Sequence, residues 1–299
     1  MDDHAAPPAF DPDFLGVPAP LPGPRAGQRV RLLTYTHFSV LLDLDRRLAA
    51  ATGVTILGSA LRDVARGDDW HLDERVSPEE QAGPELYARN DLDRGHLVRR
   101  RDPVWGDEAT ARRANVDTFA YPNAAPQAAQ FNQSAELWGG LEDYLLEHAR
   151  TYDQRLVVFT GPVLAPDDPL YRGVQIPRLF WKVAAWSDAS GPDGSARLAT
   201  TAYVLDQRPD LDEIDLRTAT EQALAADAPP PLGPFRTFQV PVGDVAVLTG
   251  LDLGPLVGAD RLVELAPSRP APGSPGPGSP EPPRAVPWTR LETVADIRL

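Results

Sequence analysis

The chain contains no cysteine. Disulfide staples and thiolate metal sites are therefore both excluded, and a reducing compartment suits it. Lysine is nearly absent too: Lys182 is the only one, so almost every cation is an arginine. With so much alanine and proline, that usage reads as a high-GC coding bias rather than a functional signal. No apolar run approaches the roughly 20 residues of a membrane helix, so no membrane partner is expected. The opening, Met1-Asp2-Asp3-His4-Ala5-Ala6-Pro7-Pro8, lacks the basic start and apolar stretch of a signal peptide. The expected location is the cytoplasm, with export by a non-classical route left open. There is no glycine-rich phosphate loop, no nucleophile elbow and no His-Glu-x-x-His pair, which removes several enzyme classes.

What is present is an ordinary globular composition: 299 residues, 42% hydrophobic and 24% charged. That length allows one large domain or two small ones. The net charge of −14 argues against a polyanionic partner on average, but phosphate affinity depends on local cations. Arg89, Arg94, Arg99, Arg100, Arg101, Arg112 and Arg113 gather in one stretch, interleaved with Asp91, Asp93, Asp102, Asp107 and Glu108. The pattern predicts a narrow positive cleft on an acidic body, and binding that weakens steeply with salt.

Residues 1–28 are rich in Pro, Ala and Gly and read as an arm that is disordered or lies on the surface. Val30 to Leu42 reads as one strand and Arg47 to Leu57 as its hairpin partner. Residues 58–90 look irregular, with a short helix at Pro78 to Ala82. Asp93 to Val98 should end a strand that presents His96. Phe131 to Arg150 carries apolar residues at three- and four-residue steps and predicts the clearest helix. Arg155 to Leu164, Arg178 to Trp186 and Arg197 to Leu205 read as strands of a central sheet. Phe238 to Leu251 should hold a short strand and a helix over Val242 to Gly250. A main domain over 29–266 is then followed by a Pro/Gly/Ser-rich linker, 267–287, and a short tail, 288–299. Truncation after Ala266 is expected to cost little stability, unless Trp288, Leu291, Val294 and Ile297 form a docking stripe.

Asp93-Arg94-Gly95-His96 is the most informative stretch. It is followed by Asn123-Ala124-Ala125-Pro126-Gln127, Phe131-Asn132-Gln133 and Leu141-Glu142. A base (His96), a cation beside it (Arg94), a neutral oxygen ligand (Asn132) and a carboxylate (Glu142) are the parts needed to hydrolyse a phosphodiester with one hard metal ion. Mg²⁺ keeps most of its waters, so one Asn, with a Glu holding those waters, suffices; Mn²⁺ can substitute. Asn132 and Glu142 are ten residues apart, about 15 Å along a helix, so both cannot touch one ion directly. Each residue also has a plainer reading. A lone histidine is usually structural, Asn132 could be a helix N-cap, and Arg99-Arg100-Arg101 could be a solvated face or a contact to a nucleic-acid backbone. Asn123 and Gln127 could shape the site near a phosphate or simply build turns around Pro122 and Pro126.

The order and spacing of these blocks resemble the DNA/RNA non-specific endonuclease family. Asp117-Thr118-Phe119, Leu137-Trp138, Phe159-Thr160-Gly161-Pro162-Val163 and Phe180-Trp181-Lys182-Val183 extend the resemblance over roughly residues 28 to 267. It implies an α+β fold with a mostly antiparallel central sheet flanked by helices, and a ββα-metal (His-Me) finger carrying His96 and the Asn132 helix. It implies Mg²⁺-dependent, sequence-non-specific hydrolysis of DNA and RNA to 5′-phosphate products. His96 would be the base and Asn132 the metal ligand, with Arg94 and Glu142 assisting. The family's further upstream catalytic arginine points to Arg66 or Arg62; Asn123, Gln127, Arg99 and Arg62 would meet substrate. Where some members carry an arginine one turn after the helix glutamate, this chain has Leu146. An inhibitor or immunity protein is a natural partner for such an enzyme. The alternatives are a non-catalytic nucleic-acid-binding or toxin-partner protein that keeps the fold, and a phosphodiesterase for small nucleotides.

Overall fold

The computed structural model describes residues 9–128, 154–188, 195–233, 236–264 and 286–298. Its strands, numbered along the chain, are β1 (Val30–Tyr35), β2 (Phe38–Asp43), β3 (Leu48–Leu57), β4 (Leu92–His96), β5 (Ala124–Ala128), β6 (Arg155–Val163), β7 (Leu170–Tyr171), β8 (Val174–Gln175), β9 (Leu179–Asp188), β10 (Arg197–Asp206), β11 (Arg236–Val240) and β12 (Thr289–Leu291). Eight of them form one sheet in the order β1-β2-β3-β6-β9-β10-β11-β12, with every pairing antiparallel. β4 and β5 form a separate antiparallel hairpin. The helices are α1 (Pro84–Tyr87), α2 (Glu108–Asp117), α3 (Glu213–Ala225), α4 (Val242–Thr249), α5 (Pro255–Gly258) and α6 (Arg261–Glu264). The architecture is α+β. The helix expected over Phe131 to Arg150 lies outside the described residues.

Strand alternation divides the sheet into two buried faces. On β6, Leu156 and Val158 join one core with Phe38, Val40, Ile56 and Tyr203. Val157 and Phe159 join the other with Ala51, Val183 and Val204. The first face is covered by Leu97, Val98, Ala120 and Ala125, from the segment that carries the β4–β5 hairpin. Thus the hairpin that presents His96 is seated on a rigid sheet through the residues flanking it. Gln207 adds a polar tie: its Oε1 accepts from the Ala128 backbone N–H at 3.2 Å and its Nε2 donates to the Pro177 carbonyl at 2.6 Å.

Three expectations need correction. Val30 to Leu42 is not one strand. It turns at Thr36-His37, where Tyr35 pairs with Phe38 and His37 takes a positive φ of 65°. Histidine tolerates that region better than most non-glycine residues. The His37 ring is also clamped, stacked 3.4 Å from Trp105 and with Nδ1 2.8 Å from the Pro103 carbonyl. Second, the described part of the N-terminal arm is neither free nor merely superficial. Phe14, Leu15 and Ala19 are buried in the second core, Phe10 meets Phe159 edge to face, and Gly23 bridges Asp252.

Third, the C-terminal tail belongs to the sheet. β12 pairs with β11, Leu291 is buried in the first core, and Ile297 packs against that core. Gln239 exchanges hydrogen bonds with the Arg298 backbone at 2.6 and 3.0 Å, and the Trp288 indole donates to Asp244 at 2.7 Å. Burying one leucine is worth about 1.5–3 kcal/mol, and each lost hydrogen bond about 1 kcal/mol more. Truncation after Ala266 is therefore expected to lower the melting temperature by about 10 °C or more. A thermal melt of the truncated and full chains decides; coincident melts would show that the tail docks without stabilising.

Candidate active site

The β4–β5 ladder pairs His96 with Ala124, Gly95 with Ala125 and Asp93 with Gln127. Alternation along β4 sets Arg94 and His96 on one face and Asp93 and Gly95 on the other. The Gln127 side chain crosses that second face: a Cβ built on Gly95 would lie 2.0 Å from its amide carbon. The glycine between Arg94 and His96 is thus the space Gln127 occupies. Gln127 sits behind the strand from His96, so it supports the hairpin and does not reach toward a phosphate at the histidine.

Asn123 extends the ladder past its last backbone pair. The Leu97 N–H donates to the Asn123 carbonyl at 2.9 Å. The Asn123 side chain then acts as one more peptide unit: Oδ1 accepts from the Val98 N–H at 2.8 Å and Nδ2 donates to the Val98 carbonyl at 3.0 Å. Nδ2 also donates to the Thr118 carbonyl at 3.0 Å. The residue is fully buried. Its amide is committed to backbone, which does not fit the expectation that it meets substrate. It fixes the backbone immediately after His96 instead.

His96 itself is packed by rings. Trp70 lies 4.7 Å away at 51° and Phe119 5.1 Å away, edge to face. Its Nε2 is buried with no hydrogen-bond partner among the described residues, so none of them occupies that nitrogen. Burial holds the His96 pKa down to about 3, with the positive charges of Arg66, Arg100 and Arg94 acting in the same direction and Asp68 opposing. The imidazole is therefore neutral at physiological pH, and its surroundings disfavour the protonated form.

Arg94, exposed beside His96, places its guanidinium 5.3 Å from the Trp70 ring centre. Arg66 is exposed and lines, with Arg62, Arg112 and Glu108, a cavity of about 610 Å³ between the 62–67 segment and α2. Arg62 also bonds the Gly106 carbonyl through Nε at 2.9 Å. The arginine run 99–101 is not a free solvated face. Arg100 donates to the Val64 carbonyl and to Asn115 at 3.0 Å each, Arg101 pairs with Asp63 at 3.4 Å, and Arg99 is partly buried and engaged. Burial, then Arg66 and Arg101, lowers the Arg100 pKa, a sign of how closely the cations gather.

His96, Arg94 and Arg66 are thus brought together, with Arg62 at the neighbouring cavity. Asn123 and Gln127 are drawn into the scaffold. Asn132 and Glu142 lie outside the described residues. Sequence reasoning missed Trp70, Phe119 and Arg100 as neighbours of His96; Phe119, just ahead of the Asn123 block, was the available signal. One expectation follows from the charges. Arg66→Gln removes a cation that disfavours imidazolium, so the His96 pKa should rise. Because only neutral His96 accepts a proton, the acid limb of any His96-dependent activity should move to higher pH. A pH–rate profile of the two proteins checks it, and superimposed limbs would mean that Arg66 does not act on His96.

The sheet, the seated hairpin and its histidine define a class, the ββα-metal nuclease fold. The chain belongs to the DNA/RNA non-specific endonuclease family, whose pattern matches residues 20–260. It is 39% identical over 268 residues to the uncharacterised protein y4fB of Sinorhizobium fredii, covering 80% of this chain and 38% of that protein. It is 31% identical over 153 residues to mitochondrial endonuclease G of Bos taurus, covering 47% of each chain, and 30% identical to the Homo sapiens protein over the same length and coverage. The chain therefore spans less than half the length of these curated relatives. A crystal structure of an EndoG/EndoGI complex shares the fold, with a TM-score of 0.51 and 20% identity over 74% of this chain and 84% of that one.

Proposed function

We propose that this chain is a Mg²⁺-dependent endonuclease that hydrolyses DNA and RNA phosphodiester bonds without sequence preference. The observation that carries the reading is His96: neutral, held on the β4–β5 hairpin, with a buried Nε2 that has no partner among the described residues, and with Arg66, Arg100 and Arg94 close enough for their charges to act on the ring. In this mechanism His96 Nε2 takes a proton from the water that attacks phosphorus in line. Arg94 and Arg66 balance the negative charge growing on the phosphoryl oxygens. The bond to the 3′ oxygen breaks, leaving 5′-phosphate products.

Among the described residues no group of three His, Asp or Glu side chains could hold a metal ion. A bound Mg²⁺ would rest on Asn132, whose amide oxygen is a hard donor that suits this ion, with Glu142 acting through water or a second group. When bound, Mg²⁺ would supply Lewis-acid stabilisation of the phosphoryl charge and of the departing 3′ oxygen.

Asn132→Ala should then weaken Mg²⁺ dependence and activity together. A Mg²⁺ titration of cleavage by both proteins tests this: a raised half-saturating concentration supports the ligand role, and unchanged values would reduce Asn132 to a helix cap. A long duplex should also be cut far faster than a dinucleotide, since only the duplex can use cations beyond His96. Partners follow from the activity. The similar solved structure is an EndoG/EndoGI complex that shows EndoG inhibition, and a nuclease of this kind is served by a comparable inhibitor or immunity protein.

A further inference from the structure

We propose that Trp70 is the positioning residue of this site: its indole, set against Arg94 and His96 together, fixes the orientation of the histidine ring and the place of the arginine beside it. The inference rests on the reading of His96 as the base.

Arg94 and His96 are two residues apart on one face of β4, and Trp70 meets both. Its ring centre is 4.7 Å from that of His96 and 5.3 Å from the Arg94 guanidinium carbon. Phe119 stands edge-on to both rings, 5.4 Å from Trp70 and 5.1 Å from His96, and Tyr121 closes the group 5.7 Å from Trp70. These contacts hold the imidazole while leaving Nε2 unpartnered among the described residues. A histidine secured by a hydrogen bond at Nε2 would have no free nitrogen there; one secured by rings keeps it.

Trp70 is itself anchored from the chain that leads into β5. The Trp70 N–H donates to the Asp68 carbonyl at 3.0 Å, the His71 N–H to the Phe119 carbonyl at 3.1 Å and the Tyr121 N–H to the His71 carbonyl at 2.9 Å. Segment 68–71 is thereby locked to the same loop that Asn123 locks to β4. Trp70 is only partly buried, so it is not a core side chain that happens to lie near the site. It stands at the surface over the two residues that act.

The test uses the full chain with Trp70→Ala, Trp70→Leu and Trp70→Phe. Two readouts are taken: the NMR titration of the His96 ring, assigned by its loss in His96→Gln, and kcat and KM on DNA. With the indole gone, water reaches the imidazole, so its pKa should rise toward the free value in the Ala and Leu variants. Their kcat should fall about 10-fold or more, as expected for a misplaced base, with KM within about twofold of the parent. Trp70→Phe should restore most of both. A folded Ala or Leu variant with parental His96 titration and parental kcat would overturn the proposal. So would a folded Phe variant no better than Leu, because a ring is what the proposal requires. Leu fills most of the space and serves if Ala does not fold. The titration judges Trp70 even if His96→Gln proves fully active, a result that would sink the proposed function alone.

Discussion

Replacing His96 with alanine is expected to leave a folded protein and to lower turnover by at least about 10²-fold, the usual contribution of a positioned base. The fold should survive because the hairpin is held by other groups. Leu97 and Val98 are buried in the first core, and Asn123 grips the Val98 backbone. The ring contributes contacts to Trp70 and Phe119, whose loss costs about 0.5–1.5 kcal/mol each. Affinity for DNA should hardly change, since Arg62, Arg66 and Arg94 remain. Single-turnover cleavage and binding, measured on a variant whose melt shows it folded, separate these terms. Parental cleavage by that variant would show that another group activates the water.

Asn123→Ala is expected to be the most damaging single change to the scaffold near the site. Three backbone groups lose their partner together: the Val98 N–H, the Val98 carbonyl and the Thr118 carbonyl. The residue is fully buried, so water cannot easily replace the amide, and each orphaned group costs about 1–3 kcal/mol. Allowing for relaxation, a loss of about 3–5 kcal/mol and a fall in melting temperature on the order of 10 °C are expected. Activity should fall too, below the melting point, because the released backbone directly follows His96. Asn123→Asp keeps an acceptor for Val98 but loses both donor contacts, so it should be intermediate at best. Thermal melts of the three proteins check the order. An alanine variant as stable as the parent would mean that the Asn123 amide is not what closes the hairpin.

The particular residues show what could be read from sequence and why. The three strands of the sheet centre, β6, β9 and β10, announce themselves because both faces are buried and their runs are rich in apolar, β-branched and aromatic residues. His96 was legible through its block, and β4 does present it. The turn at Thr36-His37 was hidden because neither residue is a usual turn former; tertiary contacts from Pro103 and Trp105 hold the histidine there. The N-terminal arm was misjudged, and the C-terminal tail was left between docking and nothing, because their apolar residues are sparse and their partners are distant in sequence. Phe14 finds the second core and Leu291 finds the first. α3 was missed because it has no buried residue to give an apolar stripe; the Asp212 cap, accepting from the Ile214 and Asp215 N–H groups, was the available sign. Asn123 and Gln127 are amides that serve scaffold and substrate equally well in principle. Only the register of β4 against β5 shows that one replaces a peptide unit and the other fills the space above Gly95.

The proposed reaction is metal-supported hydrolysis of both nucleic acids by one His96 site. Its most direct measurement is cleavage of a supercoiled plasmid and of a single-stranded RNA by the purified full chain, with Mg²⁺ or with EDTA, beside His96→Ala. Both substrates should be degraded to 5′-phosphate ends with Mg²⁺, EDTA should stop both reactions, and His96→Ala should be slower on both by at least about 10²-fold. Intact plasmid and RNA after incubation of the folded parent with Mg²⁺, or cleavage that proceeds equally in EDTA, would contradict it.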